Sequence, residues 1–205
     1  SSPEAIRYAP SLAQALIQIG AFQACANIIE SVQADFPDTP ISLLNEYGVC
    51  LLALNRSSEA QIAFRKYLIL RPEIKATQYN LSHALLKDGQ YEEGWKLAEF
   101  GPLEIKEKGV KNPWKCDFSI NGKILLIYCE QGLGDMLQFM RYIPYLKDQG
   151  AEIILSVPET LKRISQSSFN DIHVIGNDFS NTHYDFSSSL LSLPLCLAAQ
   201  IGYEI

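Results

Sequence analysis

Small and large apolar residues recur along the first hundred positions at a nearly constant interval. Ala13 to Gly48 is 35 residues and Gly48 to Ser82 is 34, and each is a small residue inside an apolar pattern. Cys25, Ala60 and Gly94 form a second small-residue series in the same register. Leu16, Leu51 and Leu85 give a leucine series, and Ile29, Phe64 and Ala98 follow. A period of about 34 residues is that of a repeated helix-turn-helix hairpin. The chemistry fits that form: small residues let paired helices approach, large ones fill the space between them, and Pro37 and Pro72 stop the second helices. Gly20 and Gly89 supply turns between paired helices.

From about residue 102 the helical period stops. The stretch "GPLEIKEKGVKNPWKCDFSINGK" carries glycine, proline and charge without sustained periodicity and reads as a connector. Its Trp114 and Phe118, with Trp95 nearby in sequence, are too aromatic for a free tether, so the segment is expected to pack and to join the halves rigidly. The pattern then changes to short apolar runs alternating with helical spacing. "KILLIYCE" and "AEIILSV" read as strands buried on both faces, and "DIHVIG" and "YDFSSS" as further strands. "MLQFMRYIPYLKDQG" has helical spacing and ends on Gly150, "PETLKRISQSS" places Leu161 and Ile164 on one face, and "LLSLPLCLAAQIG" is a last apolar helix interrupted early by Pro194. Strands alternating with helices predict a parallel sheet with right-handed crossovers. The expected class is α plus α/β: a helical solenoid over 5–101, a packed linker over 102–122 and a partial Rossmann-like domain over 123–205.

Composition narrows the functions without choosing one. With 47% hydrophobic and 20% charged residues among 205, a sizeable core is expected. A net charge of -6 argues against a nucleic-acid partner or an acidic membrane surface. No apolar run approaches the roughly 20 residues that span a bilayer, and the start lacks the pattern of a signal peptide. Cys25, Cys50, Cys116, Cys129 and Cys196 are scattered without a close pair, which points to a reducing cytoplasm and inert burial. His83, His173 and His183 have no metal-ligand spacing, so no metal site is expected. Because the chain begins without methionine, it reads as a processed or excised piece of a longer protein.

The stretch that concentrates chemistry is "EQGLGD", residues 130 to 135, where the first buried run turns into a helix. Ligands of such sheets sit outside the carboxyl ends of the strands. Three readings stay open. A dinucleotide site would want GxGxxG, but Leu137 holds the third glycine position and Asp135 puts negative charge where a pyrophosphate would sit; a Walker loop is absent. Asp135 can serve the helix alone, as a cap interacting with the dipole, worth about 1 kcal/mol. It can also act as a general base.

That third reading comes from a resemblance. "EQGLGDMLQFMRYIPYLKDQGAEIILSVPETLKRI" and "YDFSSSLLSLPLCLAAQIG", preceded by "NLSHALLKDGQYEEGWKLAEF" and by Pro113-Trp114, resemble a bacterial family in which tetratricopeptide repeats precede a GT-B glycosyltransferase-like module, similar to heptosyltransferases and, in its domain pairing, to O-GlcNAc transferase. The resemblance implies that the sheet domain is the acceptor-side half of a GT-B enzyme, with Asp135 as general base and Glu130, Gln131, Gly132 and Gly134 shaping the acceptor pocket. It also implies a nucleotide sugar as donor substrate in the longer protein, with no cofactor held by this piece. The repeats would offer a concave groove lined by Asn45, Val49, Tyr79, His83 and Lys87 to a protein or peptide. In the asparagine ladder of O-GlcNAc transferase repeats, Asn80 fits the helix position, while Ser11 and Glu46 occupy its equivalents here.

Two expectations follow. One is a piece of a cytoplasmic glycosyltransferase-like protein, inactive by itself, whose repeats recruit a partner or a sugar or protein acceptor. The other is a non-catalytic scaffold, with protein-binding repeats and a degenerate Rossmann-like module.

Overall fold

The computed structural model describes residues 3–36, 41–101, 110–129 and 132–202. The chain divides into two compact units, Ser1–Gly101 and Pro102–Ile205.

The first unit is helical: α1 (Pro3–Gln18), α2 (Phe22–Asp35), α3 (Ile41–Ala53), α4 (Ser57–Leu70), α5 (Lys75–Lys87) and α6 (Tyr91–Ala98). Every residue of the two small series is buried, and the reason is visible at the glycines. A Cβ built on Gly48 would meet the Phe64 ring at 2.4 Å, and one on Gly94 would meet the Leu86 side chain at 2.7 Å. In the first pair Cys25 takes that place, its Sγ donating to Ala13 O at 3.6 Å. Leu51, Phe64 and Leu85 have no exposed surface and form one cluster, and Ile29 and Leu43 sit in another. Pro10 lies inside α1 without ending it.

The turns within the three pairs are built alike. Ala21 N donates to Leu16 O at 2.8 Å, Arg56 N to Leu51 O at 2.8 Å and Gln90 N to Leu85 O at 2.9 Å. Each closes a helix through a residue in the left-handed region, as a Schellman cap does. Those residues are Gly20 (φ 74°), Asn55 (φ 62°) and Gly89 (φ 75°). Sequence reading finds the two glycines and passes over Asn55, the residue type that adopts this conformation most readily after glycine.

The second unit is a four-stranded, all-parallel sheet in the order β3-β2-β1-β4. Its elements are β1 (Ile124–Tyr128), α7 (Leu133–Phe139), α8 (Ile143–Asp148), β2 (Glu152–Ser156), α9 (Glu159–Ser168), β3 (His173–Ile175), β4 (Phe186–Ser189) and α10 (Leu193–Ile201). The described architecture is α followed by α/β, as the pattern predicts. Leu125, Leu126 and Ile127 of the central strand are fully buried, which is why the strand reads as an unbroken apolar run.

The described part of the connector belongs to this unit. Trp114 is 3% exposed. Its Nε1 donates to Phe118 O at 3.1 Å, and Phe118 and Phe186 rings lie 4.7 Å apart. Trp114 N donates to Ser187 O at 2.7 Å and Ser187 N to Asn112 O at 3.0 Å, so residues 112–114 run along the outer edge of β4. Pro113, which has no N–H to offer, fits such an edge.

Three local expectations change. The segment 136–150 is not one helix: a 3-10 turn (Met140–Tyr142) separates α7 from α8, because Pro144 lacks the N–H that a continuous helix needs and opens α8 instead. Pro194 likewise opens α10 after a 3-10 turn (Leu190–Ser192) rather than interrupting it. On α9 the buried face is Leu161 with Ser165, while Ile164 is 47% exposed. Ser165 can be buried because its hydroxyl donates to Leu161 O at 2.9 Å.

Candidate functional site

The strand order fixes where a crevice lies. From β1 the chain steps to β2 and β3 on one side, then crosses back to place β4 on the other. The switch point is between β1 and β4, and ligands of open parallel sheets bind outside the carboxyl ends of the strands there. Tyr128 and Ser189 are in-register partners at those ends. Helix α7, leaving β1, touches the 3-10 turn that leaves β4.

Gly132 and Asp135 stand in the turn from β1 into α7. Gly132, not Asp135, is the N-cap (φ 29°, ψ 122°), and Met136 N donates to Gly132 O at 3.1 Å. Asp135 is the third residue of the helix and exposed. Its carboxylate bends back over the turn: a Cβ on Gly132 would lie 3.0 Å from Asp135 Oδ2. The dipole-facing acid of the capping reading is therefore present, while the cap itself is a glycine with left-handed φ. Gly134 is exposed, with nothing within 4 Å of a Cβ built on it. Glu130 and Gln131 lie outside the described residues.

Other groups gather at the same end of the sheet, and sequence reasoning did not single them out. Ser187, Ser188 and Ser189 are all buried. Ser187 Oγ donates to Lys111 O at 2.7 Å and Ser189 Oγ accepts from Leu191 N at 3.2 Å. Three hydroxyls in succession on a buried strand were the signal available in "YDFSSS". After β3 the chain returns over β1, with the Phe179 ring 6.3 Å from that of Tyr128. The neighbouring Asp178 accepts from Ser180 Oγ at 2.6 Å and Ser180 N at 3.0 Å, which hold its carboxyl below the usual range. Glu159, opening α9, lies against Gly176, whose added Cβ would be 2.6 Å from Glu159 Oε1. The turns after β1, β2 and β3 thus carry Asp135, Glu159 and Asp178. Glu159 shares its charge with Lys162, whose Nζ lies 3.4 Å from Oε1, and the two remaining acids weigh against a diphosphate at this end.

In the helical unit, Asn45 and Val49 stand on α3 and Tyr79, His83 and Lys87 on α5, two helices in contact. Much of this set is engaged internally. Asn45 Oδ1 accepts from Thr77 Oγ1 at 2.8 Å, a tie between the helices that the sequence did not reveal. The Tyr79 and His83 rings meet edge to face at 4.5 Å, and a Cβ on Gly101 would lie 2.9 Å from Tyr79. Lys87 Nζ donates to Asn55 Oδ1, and Val49 packs at the edge of the Leu51–Phe64–Leu85 cluster. His83 and Lys87 are exposed. Elsewhere on the unit Tyr47 donates to Glu30 Oε1 at 2.8 Å, and burial with that carboxylate pushes Tyr47 up to about 12.

No family model matches the chain, and no curated protein matches it. Among solved structures, a mutant O-GlcNAc transferase from Thermobaculum terrenum is similar at a TM-score of 0.44 and 14% identity, over 89% of this chain and 43% of that one. The chain therefore spans less than half the length of that structure. A likeness of this size carries no weight for activity. No helix among the described residues is long and apolar enough to cross a membrane, and none of them form a metal-ligating group of three.

Proposed function

We propose that the chain is part of a glycosyltransferase-like protein, in which the sheet unit holds a hydroxyl acceptor and the helical unit recruits a protein partner or that acceptor. The observation that carries the reading is the position of Asp135. It is an exposed carboxylate in the first helical turn of α7, which follows β1 beside the β1–β4 switch point where Ser189 ends the neighbouring strand. A carboxylate there can take the proton from an acceptor hydroxyl as that oxygen attacks the anomeric carbon and the nucleotide leaves. Gly134 adds no side chain there, and a Cβ built on it meets nothing within 4 Å. Asp135 and Asp178 at this end favour an acceptor role over a nucleotide one, and the reading leaves the nucleotide-sugar donor to the rest of the parent protein.

The test has two arms. The longer protein containing this segment is assayed for transfer from a panel of nucleotide sugars to sugar and hydroxyl-peptide acceptors. Asp135→Asn lowers turnover about 10²- to 10⁴-fold, the usual worth of a general base, with circular dichroism unchanged. Turnover equal to that of the parent removes Asp135 from the mechanism. For the 205-residue chain itself, saturation-transfer NMR detects acceptor sugars without nucleotide, and contacts to nucleotide alone would reverse the assignment of the two sides.

A further inference from the structure

Helix α1 is apolar on two sides. Ala9 and Ala13 are buried in the cluster shared with α2, with Leu16 and Ile17 packed beside them. On another side Tyr8 is 61%, Leu12 45% and Ile19 76% exposed, and Ala15 between them is exposed too. These four lie at i, i+4, i+7 and i+11, one stripe running along α1 into its closing turn. The repeat register shows what such a stripe does elsewhere. The same positions are Leu43, Tyr47, Cys50 and Leu54 along α3 and its turn, and Thr77, Leu81, Ala84 and Asp88 along α5 and its turn. Leu43, Cys50, Thr77, Leu81 and Ala84 are buried, and Tyr47 and Leu54 pack on the cluster to which α2 contributes. In each case the cover is the helix just before in the chain. Tyr47 donates to Glu30 on α2 at 2.8 Å, and Gln61 on α4 donates to Ala84 O at 3.4 Å and to Asp88 Oδ2 at 2.8 Å. A helix that closes a repeat array turns a polar face outward. Helix α1 shows instead the apolar face of an internal one.

We infer that the Tyr8–Leu12–Ala15–Ile19 face of α1 is a docking surface for the second helix of a further repeat, carried by the same polypeptide ahead of α1. The chemistry of that helix follows from the two that already do the work. Helix α2 brings Ala26, Ile29 and Val32 to the cluster that holds Leu43, and α4 brings Ala60, Ala63 and Phe64 to the cluster that holds Leu81. Each adds one polar side chain at the edge, Glu30 or Gln61. None of the four α1 residues is charged, so the helix that fits is apolar and small along its centre and polar at its margins. The same polypeptide is the source because α2 ends at Asp35 and α3 begins at Ile41, while α4 ends at Leu70 and α5 begins at Lys75. A short connection therefore lays each covering helix on the stripe that follows it. The inference rests on the reading that this segment belongs to a longer polypeptide and not on the chemistry of Asp135, so either can fail without the other.

Hydrogen exchange of the α1 peptides is followed by mass spectrometry in the 205-residue chain and in the longer protein, each with and without Leu12→Asp. Helix α1 exchanges at least about tenfold more slowly in the longer protein. Leu12→Asp removes that difference and leaves exchange in the 205-residue chain within about twofold, because an exposed position tolerates the change. Equal exchange of α1 in the two proteins, or an equal effect of Leu12→Asp on both, overturns the assignment. A second arm covers the case in which the longer variant does not fold. Residues 41–74 are duplicated ahead of Ile6, the register equivalent of Ile41 and Lys75, so that a copy of α4 is offered to α1. The Tm of the helical unit rises by about 5 °C or more, and Leu12→Asp cancels the rise; a folded fusion without the rise overturns the assignment. Sedimentation of the 205-residue chain tests the other occupant. A dimer that Leu12→Asp disperses gives the face to a second copy and overturns the assignment as well.

Discussion

In the helical unit, the backbone bonds that close the turn at Leu16–Ala21 recur at Leu51–Arg56 and again at Leu85–Gln90. In the sheet unit the bonds that hold the fold join distant residues and have no such copies: Ile124 N to Asp185 Oδ2 spans 61 residues and Asn112 Nδ2 to Asp185 O spans 73. The first unit is stabilised by neighbours along the chain, the second by pairings that form only once the chain has returned. A defect in a repeat therefore has local consequences, while a defect in β1 strikes the strand on which β2 and β4 both depend.

The largest effects come from emptying each core. Phe64→Ala removes the ring against which Gly48 packs and should cost about 3–5 kcal/mol, and Ile127→Ala about 2–5 kcal/mol. The two tryptophans separate the measurements, since Trp95 lies in α6 and Trp114 beside β4. In urea titrations Phe64→Ala lowers the midpoint read by Trp95 in a Trp114→Phe background, and Ile127→Ala lowers that read by Trp114 in a Trp95→Phe background. The difference between the units extends to refolding rate: the sheet signal should be the slower to recover, and a faster sheet would break the local-versus-distant distinction.

The same contrast explains what could be read from the sequence. Each packing rule of the helical unit is written at three positions, so Ala13, Gly48 and Ser82 identify one another by their register alone. Apolar runs on β1 and β2 announce burial on two faces, but nothing in a run states its neighbour. That Tyr128 pairs with Ser189 and that Pro113 bridges to Ser187 are single, long-range facts without a period to betray them. In the site, Asp135 and its glycines were legible because a strand-to-helix turn is local. Ser188, Ser189 and Phe179 were not, because only the strand order brings them to that end of the sheet.

A smaller effect tests whether the three turns are equivalent. Gly20 and Gly89 have open space where a Cβ would sit, so Gly→Ala there reports backbone strain alone. Gly20→Ala, Gly89→Ala and Asn55→Ala should each cost about 1–2 kcal/mol by denaturation, the penalty of the left-handed region. Asn55→Gly should stay within about 0.5 kcal/mol of the parent, losing the bond from Lys87 while relieving φ. A cost for Asn55→Gly as large as for Asn55→Ala would mean that Lys87, and not the turn conformation, is what Asn55 supplies.

The smallest effect concerns a register in which one of three equivalent residues is charged and enclosed. Ser11, Glu46 and Asn80 share a register, and of the three only Glu46 titrates. Burial raises its carboxyl above the ordinary value, against the lowering effect of its backbone hydrogen bond and of Gln14. Its Oε2 is enclosed and has no hydrogen-bond partner among the described residues. The folded state therefore holds this proton more tightly than the unfolded chain does. Stability from this group is fully present below the unfolded value, about 4.3 for a glutamate, and is lost as pH rises through the higher folded value, then levels off. Glu46→Gln should flatten that slope and match or exceed the parent at about pH 8, while differing least near pH 4. Urea midpoints for both proteins across that range read the sign directly. A parent that gains stability relative to Glu46→Gln with rising pH would show that the hydrogen bonds outweigh burial, and would make Glu46 a designed polar tie between α1 and α3 rather than the charged exception in an otherwise uncharged register.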